Sequence, residues 1–279
     1  IILGPPGTDK TTTLLDLVEE FLRAGTDIKK IGYFSFTRKA AYEAQSRAED
    51  KFKIDKDEIP FFRTLHSLAF RSLSIKKERV MKHSDYRDFG LKCGVPIKTA
   101  WYSEEDGMFN SDNAYLRIIN KARVQGIPVL DEYDNYNHTL DIERDILYFL
   151  DQELKRYKKE KGLVDYDDML EQFIEQNITP DFDVLFIDEA QDLSPLQWKM
   201  VKKLWAKADK SYIAGDDDQA IFRWAGADVD TFIALKDEVD HVDTLSQSYR
   251  IPGGPIHDLS QRIIRSVSNR YDKDYMPRQ

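Results

Sequence analysis

One cysteine, five histidines and no long apolar run mark this 279-residue chain. Cys93 alone excludes an internal disulfide and a thiolate zinc centre, and it suits a reducing compartment. Without a stretch of about 20 apolar residues there is no candidate membrane-spanning helix, so no membrane partner is expected. Positive charge is the minority: 41 Lys and Arg face 50 Asp and Glu, a net charge of −9. That excludes a general basic coat for nucleic acid but leaves room for a local basic groove. Neither internal repeats nor low-complexity tracts occur. No secretory signal is visible, since the chain opens directly on Ile1-Ile2-Leu3, and a cytoplasmic protein is expected. The abrupt start on a strand-like run also leads us to expect an upstream segment. What remains is 41% hydrophobic, enough to bury a core in one or two domains.

The rest is organised around residues 184–192, Val-Leu-Phe-Ile-Asp-Glu-Ala-Gln-Asp. Val184 to Ile187 suit a strand buried on both faces. Asp188 and Glu189 then place two carboxylates at its end, where an open parallel sheet binds its ligands. One carboxylate can hold Mg²⁺ and its neighbour can take a proton from water. A strand followed by an acidic helix start explains the same residues without chemistry.

Upstream, Ile1-Ile2-Leu3 reads as the tail of a strand, followed by Gly4-Pro5-Pro6-Gly7-Thr8-Asp9-Lys10-Thr11 and a helix over about 11–24. Strand, glycine loop, Lys-Thr and helix is the context of a phosphate-binding loop. Its backbone N–H groups and the helix N-terminus, with Thr12 in the first turn, attract phosphate. Lys10 neutralises terminal oxygens, and the Thr11 hydroxyl can ligate Mg²⁺. Asp9 breaks the pattern by standing where glycine is expected. Two unit charges about 5 Å apart repel by roughly 3 kcal/mol at an effective dielectric near 20. Uncompensated, that weakens nucleotide binding about a hundredfold; we expect an outward-facing Asp9 and weakened ATP binding.

Ile31–Phe36 is the next strand candidate, and Thr37 opens a helix to about Asp50. Phe36, Thr37, Arg38 and Lys39 can touch a nucleic-acid backbone and one base, or form a solvated helix start. Ile59–Phe62 suggests a short strand before a helix beginning at Thr64; His66 there reads as a cap or packing residue. Composition shifts near Ser74. Residues 76–161 carry basic runs and two helical patterns, about 113–125 and 140–161, and read as a mostly helical insertion. Asp165 is a natural N-cap for the helix that returns the chain to the sheet.

A strand at Ser211–Ala214 leads into Gly215-Asp216-Asp217-Asp218-Gln219, whose glutamine can sense a terminal phosphate. Phe222 and Trp224 are either base-stacking surfaces or core. After a last strand at Val242–Leu245 come Tyr249, a candidate for stacking on adenine or for packing, and Arg250, an arginine finger or a surface ion pair.

In order, GPPGTDKT, FSFTRKAA, TLHSLAF, VDYDDML, LFIDEAQD, IAGDDDQAIFRWAGA and TLSQSYR resemble superfamily 1 DNA helicases of the UvrD/Rep/PcrA type over most of residues 1–255. The resemblance implies an α/β fold: a RecA-like P-loop NTPase sheet, parallel and flanked by helices, with a mostly helical insertion. It implies domain 1A from residues 1–75 and 162–240, a 1B-like insertion from 76–161, and the start of domain 2A at 241–279. ATP and Mg²⁺ are the implied cofactors. Gly4, Gly7, Thr8, Asp9, Lys10, Thr11, Thr12 and Tyr249 match the nucleotide site, Thr11 and Asp188 the metal site. Glu189 matches the general base, Lys10, Gln219 and Arg250 the other catalytic groups. Phe36, Thr37, Thr64, His66, Phe222 and Trp224 match DNA contacts. The implied activity is ATP-driven movement on single-stranded DNA and at duplex junctions, 3′ to 5′. Two other readings stay open: a nucleotide- and DNA-binding protein with little turnover, and the motor part of a helicase–nuclease. Ala225 replaces a usual arginine, the upstream glutamine motif is absent, and the chain stops after the fourth motif. It therefore looks like the N-terminal half of a helicase, with the rest of 2A, and 2B, expected beyond it.

Overall fold

The structure is a computed structural model that describes residues 1–103, 105, 107–135, 142–176 and 178–278. In chain order, β1 (Ile2–Leu3) leads to α1 (Lys10–Arg23), β2 (Ile31–Ser35), α2 (Arg38–Phe52) and β3 (Phe62–Thr64). Then follow α3 (Leu65–Ser72), α4 (His83–Lys92), β4 (Ala100–Ser103), β5 (Met108–Ser111), α5 (Ala114–Gln125), α6 (Val129–Asn135), α7 (Arg144–Lys161) and α8 (Tyr166–Gln176). The chain continues through β6 (Val184–Asp188), α9 (Pro195–Trp205), β7 (Lys210–Gly215), α10 (Val229–Ala234), β8 (Asp243–Thr244), β9 (Gln247–Pro252), α11 (Pro255–Ile264) and β10 (Met276–Arg278). No described helix is long and apolar enough to cross a membrane.

Two compact units result. The first comprises residues 1–64, 180–193 and 201–279, the second 65–179 and 194–200. Residues 65–75 and 162–179 therefore group with the insertion, and 241–278 with the first unit. Leu140 and Asp141, where the second helical pattern was expected to begin, lie outside the described residues, as does Gln279, the last residue of the expected 2A segment.

The first unit is built on a six-stranded sheet in the order β3-β2-β6-β7-β1-β8, every pairing parallel. This is the α/β, RecA-like sheet that the motifs implied. The interior strands β2 and β6, side by side in the sheet, are buried throughout, which is why they read as continuous apolar runs. Tyr33 stacks on Phe62 at 5.1 Å between ring centroids, and Leu14, Leu15 and Val18 of α1 close one face. Each such side chain contributes about 1.5–3 kcal/mol when fully buried. A parallel sheet points all its carboxyl ends one way, so the segments after β1, β2, β3, β6 and β7 share one edge. The strand expected at Ile59–Phe62 starts instead at Phe62, beyond Pro60, which has no N–H to give a ladder.

The second unit has its own core, with Phe89, Leu116, Ile119, Leu147 and Leu150 almost fully buried. The helix expected from Asn113 is α5, and Asn113 caps it by accepting from Leu116 N. Between α4 and α5, β4 and β5 form an antiparallel hairpin that the sequence did not announce. Asp165 caps α8: its Oδ1 accepts from Asp168 N at 2.9 Å, and Asp168 Oδ2 accepts from Asp165 N at 2.9 Å. It also joins an ionic cluster. Arg123 reaches Asp165 and Asp168 at 2.7 Å each and Glu171 at 3.1 Å, while Lys158 reaches Asp165 at 2.6 Å. Burial pushes the Asp165 carboxyl up, but the two cations hold it well below the usual range; Asp167, more weakly paired, is pushed by burial to about 7.

His66, in the first turn of α3, is buried. Its Nδ1 lies 3.3 Å from the Tyr102 hydroxyl, its ring meets Tyr166 edge-on, and its Nε2 has no hydrogen-bond partner among the described residues. Burial lowers its pKa from 6.5 to about 4. The folded imidazole thus binds its proton more weakly than the unfolded one. Its contribution to stability is complete above pH about 6.5 and is lost as the pH falls toward 4. We predict that between pH 7 and pH 5 the native chain loses about 2 kcal/mol relative to His66→Gln. Denaturant titrations of both proteins at the two pH values measure it; parallel curves would exclude a buried neutral imidazole.

Candidate active site

The loop between β1 and α1 is wrapped tightly. Thr8 Oγ1 donates to Pro5 O at 2.8 Å, and Lys10 Nζ donates to Gly4 O at 2.8 Å. A Cβ on Gly4 would lie 2.2 Å from Lys10 Cγ, so a side chain there would displace the lysine. Gly7 has φ +75°, and its added Cβ would lie 2.5 Å from Arg250 Cβ. Thr12 is exposed on the first turn of α1. Asp9, the N-cap of α1, is exposed, has the left-handed conformation (φ 58°, ψ 41°) and makes no capping bond with its side chain. That conformation is a second reason for glycine at this position; a residue with a Cβ costs about 1–2 kcal/mol there, with Asp and Asn the best tolerated.

Asp188 ends β6 and is 2% exposed. Its Oδ2 accepts from Thr11 Oγ1 at 3.0 Å and from the Tyr33 hydroxyl at 2.8 Å, and its Oδ1 accepts from Glu189 N at 3.0 Å. Burial raises the carboxyl above its usual range and the Glu189 charge adds to this, while the Tyr33 and Thr11 hydrogen bonds oppose it. A buried carboxylate so placed calls for a cation. With a hydroxyl at 3.0 Å it offers hard oxygen donors, and no described cluster of three or more His, Cys, Asp or Glu competes for a metal. One carboxylate and one hydroxyl, completed by phosphate and water oxygens, fit Mg²⁺.

Glu189 is left-handed (φ 53°) and half-buried, and its Oε2 accepts from Gln191 Nε2 at 2.9 Å. Gln191 Oε1 in turn accepts from Asp216 N at 3.0 Å, and Asp216 Oδ2 accepts from Gln219 Nε2. Gly215 has no room for a Cβ, which would lie 2.8 Å from Gln191 Oε1. Asp192 is pushed up to about 7, by burial first and then by Glu189. From the other side, Tyr249 N donates to Gly7 O at 2.8 Å and Ser248 Oγ to Pro6 O at 3.2 Å. These bonds hold β9 against the loop, with the Arg250 and Tyr249 side chains exposed, the latter 62% so. Lys10, Thr11, Asp188, Glu189, Gln219, Tyr249 and Arg250 thus all belong to one connected edge of the first unit.

The expected nucleic-acid residues divide. Trp224 is 71% exposed; Phe222 is half-buried with its ring 6.1 Å from that of Phe36, which is buried. Phe36 therefore backs Phe222 rather than presenting a face of its own. Thr37 caps α2 by accepting from Ala40 N at 3.1 Å, and half-buried Thr64 ends β3. His66 belongs to the second unit, where burial denies its ring a surface contact and fits the packing reading. Sequence reasoning passed over Tyr33, which looked like strand core, and Gln191, which lay inside the acidic run with no separate signal.

The sequence model of the family described as UvrD/REP helicase N-terminal domain matches residues 1–240. The ATP-dependent DNA helicase Rep of Buchnera aphidicola is 24% identical over 286 residues, covering 98% of this chain and 42% of that protein. DNA helicase II of Haemophilus influenzae is 25% identical, over 98% of this chain and 39% of that protein. ATP-dependent DNA helicase PcrA of Staphylococcus aureus is 23% identical with the same two coverages. The chain therefore spans about two fifths of the length of these relatives.

Asp9→Gly removes both the left-handed strain and a negative charge, the latter already weakened by solvent. We predict that it tightens binding of a fluorescent ATP analogue several-fold and raises the melting temperature. Equal affinities in a side-by-side titration would show that this loop accommodates the carboxylate without loss.

Proposed function

The chain belongs to the UvrD/REP helicase family, and from that premise we propose that it is the nucleotide-binding part of an ATP-driven motor on single-stranded DNA, moving 3′ to 5′. The observation that carries this reading is the Thr11–Asp188 hydrogen bond, which joins the phosphate loop to the acidic strand end. In this reading Lys10 turns from Gly4 O to the terminal phosphate oxygens. Thr11 and Asp188 would hold Mg²⁺, which when bound would supply positive charge against that of the phosphates. Glu189 accepts a proton from the water that attacks the γ-phosphorus as the bond to the ADP oxygen breaks, giving ADP and phosphate. Gln219 orients that water or the phosphate, Arg250 stabilises charge on the transferred group, and Tyr249 stacks on adenine. Phe222 and Trp224 stack unpaired bases, with Thr37 and Thr64 near the backbone. Residues 1–75 and 162–240 would make domain 1A, 76–161 a 1B-like insertion, and 241–279 the start of 2A. Strand separation would belong to the longer protein, because it needs two such domains closing on ATP.

A second reading, a nucleotide- and DNA-binding protein with little turnover, is favoured by one observation, the strained, charged Asp9 in the loop.

Glu189→Gln in the full-length protein should bind ATP nearly as the native form does and lose DNA-stimulated hydrolysis, whereas Lys10→Ala should lose binding itself. Equal loss of binding in both would remove Glu189 from its role. Trp224→Ala should weaken single-stranded DNA binding by about 1–3 kcal/mol, with little dependence on base sequence. Unchanged anisotropy titrations would leave Trp224 without a part in DNA binding.

A further inference from the structure

Three consecutive carboxylates, Asp216, Asp217 and Asp218, precede Gln219, and the first two are buried at 0% and 9% exposure. Anions removed from water need partners of opposite charge. Both cations come from one segment more than 50 residues downstream. Arg270 grips Asp218 with two parallel bonds, Nε to Oδ1 at 2.8 Å and Nη2 to Oδ2 at 2.7 Å. Lys273, its side chain 1% exposed, reaches Asp216 Oδ1 at 2.8 Å, Asp218 Oδ2 at 3.1 Å and Asp217 Oδ1. An ammonium has three N–H donors, and here each has a different carboxylate. Asp217 is closed on its other oxygen by Tyr271 N at 2.7 Å.

Asp216 is the link that matters for the site. One of its oxygens is held by Lys273; the other accepts from Gln219 Nε2. Its own N–H is held by Gln191, the residue that also donates to Glu189. The same segment is fastened at its far end to the phosphate loop, where the Tyr275 hydroxyl donates to Pro6 O at 2.8 Å; next to it Met276 N donates to Ser246 O, just before β9, at 2.8 Å. We propose that Lys273 is a positioning residue for hydrolysis: through Asp216 it fixes the orientation of the Gln219 amide relative to the phosphate loop. The proposal rests on the reading of Gln219 as the group that senses the terminal phosphate. It assigns residues 270–275 the part of a strap around the sensor turn.

The test uses the full-length protein, the Lys273→Met variant and the charge-balanced Asp217→Asn/Lys273→Met pair, which removes one buried anion together with the cation. In both variants turnover of ATP should fall at least tenfold while KM for ATP stays within about twofold. Amide hydrogen exchange in peptides covering residues 216–224 should accelerate at least tenfold, with peptides from α4 unchanged. The double variant should recover most of the melting temperature without recovering turnover, which separates positioning from charge balance. Native turnover in either folded variant would overturn the proposal, as would recovery of turnover together with melting temperature. A native protein that hydrolyses no ATP would refute the functional reading instead. The exchange rates alone then judge the strap, and unaltered exchange at 216–224 would refute it.

Discussion

The first unit turns on a carboxylate that water cannot reach. Asp188 is buried at the end of β6 and both of its oxygens are engaged: by Thr11 from the phosphate loop, by Tyr33 from β2 and by the N–H of Glu189. Ionised and unpaired, such a group would cost several kcal/mol. Its partners therefore fix the spacing between three chain segments that are far apart in sequence. The parallel sheet supplies the alignment, since strands running one way bring their ends to one edge.

Left-handed residues flank this carboxylate on both sides. Asp9 sits at the mouth of α1 and Glu189 directly follows β6, at φ 58° and 53°. Neither is glycine, and neither side chain relieves its backbone with a capping bond. Strain of this kind persists where surrounding bonds over-determine the chain. At Glu189 those bonds are visible: its N–H is committed to Asp188 and its carboxylate to Gln191. At Asp9 the carbonyl starts the helix by accepting from Thr13 N, while the side chain is left to solvent.

Much of this is legible in the amino-acid sequence, for local reasons. The run Val184–Ile187 suits an interior strand, Gly4 to Thr11 has the composition of a phosphate loop, and residues 113–125 carry a helical pattern. What stayed hidden depends on distance or on short, mixed segments. Lys273 and Arg270 look like ordinary surface charges until the fold returns them to Asp216–Asp218. Tyr33 is indistinguishable from its apolar neighbours until Asp188 meets its hydroxyl. Ala100–Ser103 and Met108–Ser111 are too short and too mixed to show a period of two. The left-handed turn at Asp9 is a conformational reason for glycine that composition and spacing do not show.

Between β3 and β6 the chain leaves the sheet for more than 100 residues, then returns to lay β6 beside β2. The entropy of closing so long an excursion grows only with the logarithm of its length, by about 0.6 kcal/mol per doubling. The second unit also has its own apolar interior and its own ionic cluster. Lengthening, shortening or rewriting it therefore costs the sheet little, whereas a single added methyl at Gly4, Gly7 or Gly215 would collide with neighbouring atoms. Sequence drift in such a protein should be tolerated in proportion to length in the excursion and be blocked almost atom by atom at the strand ends.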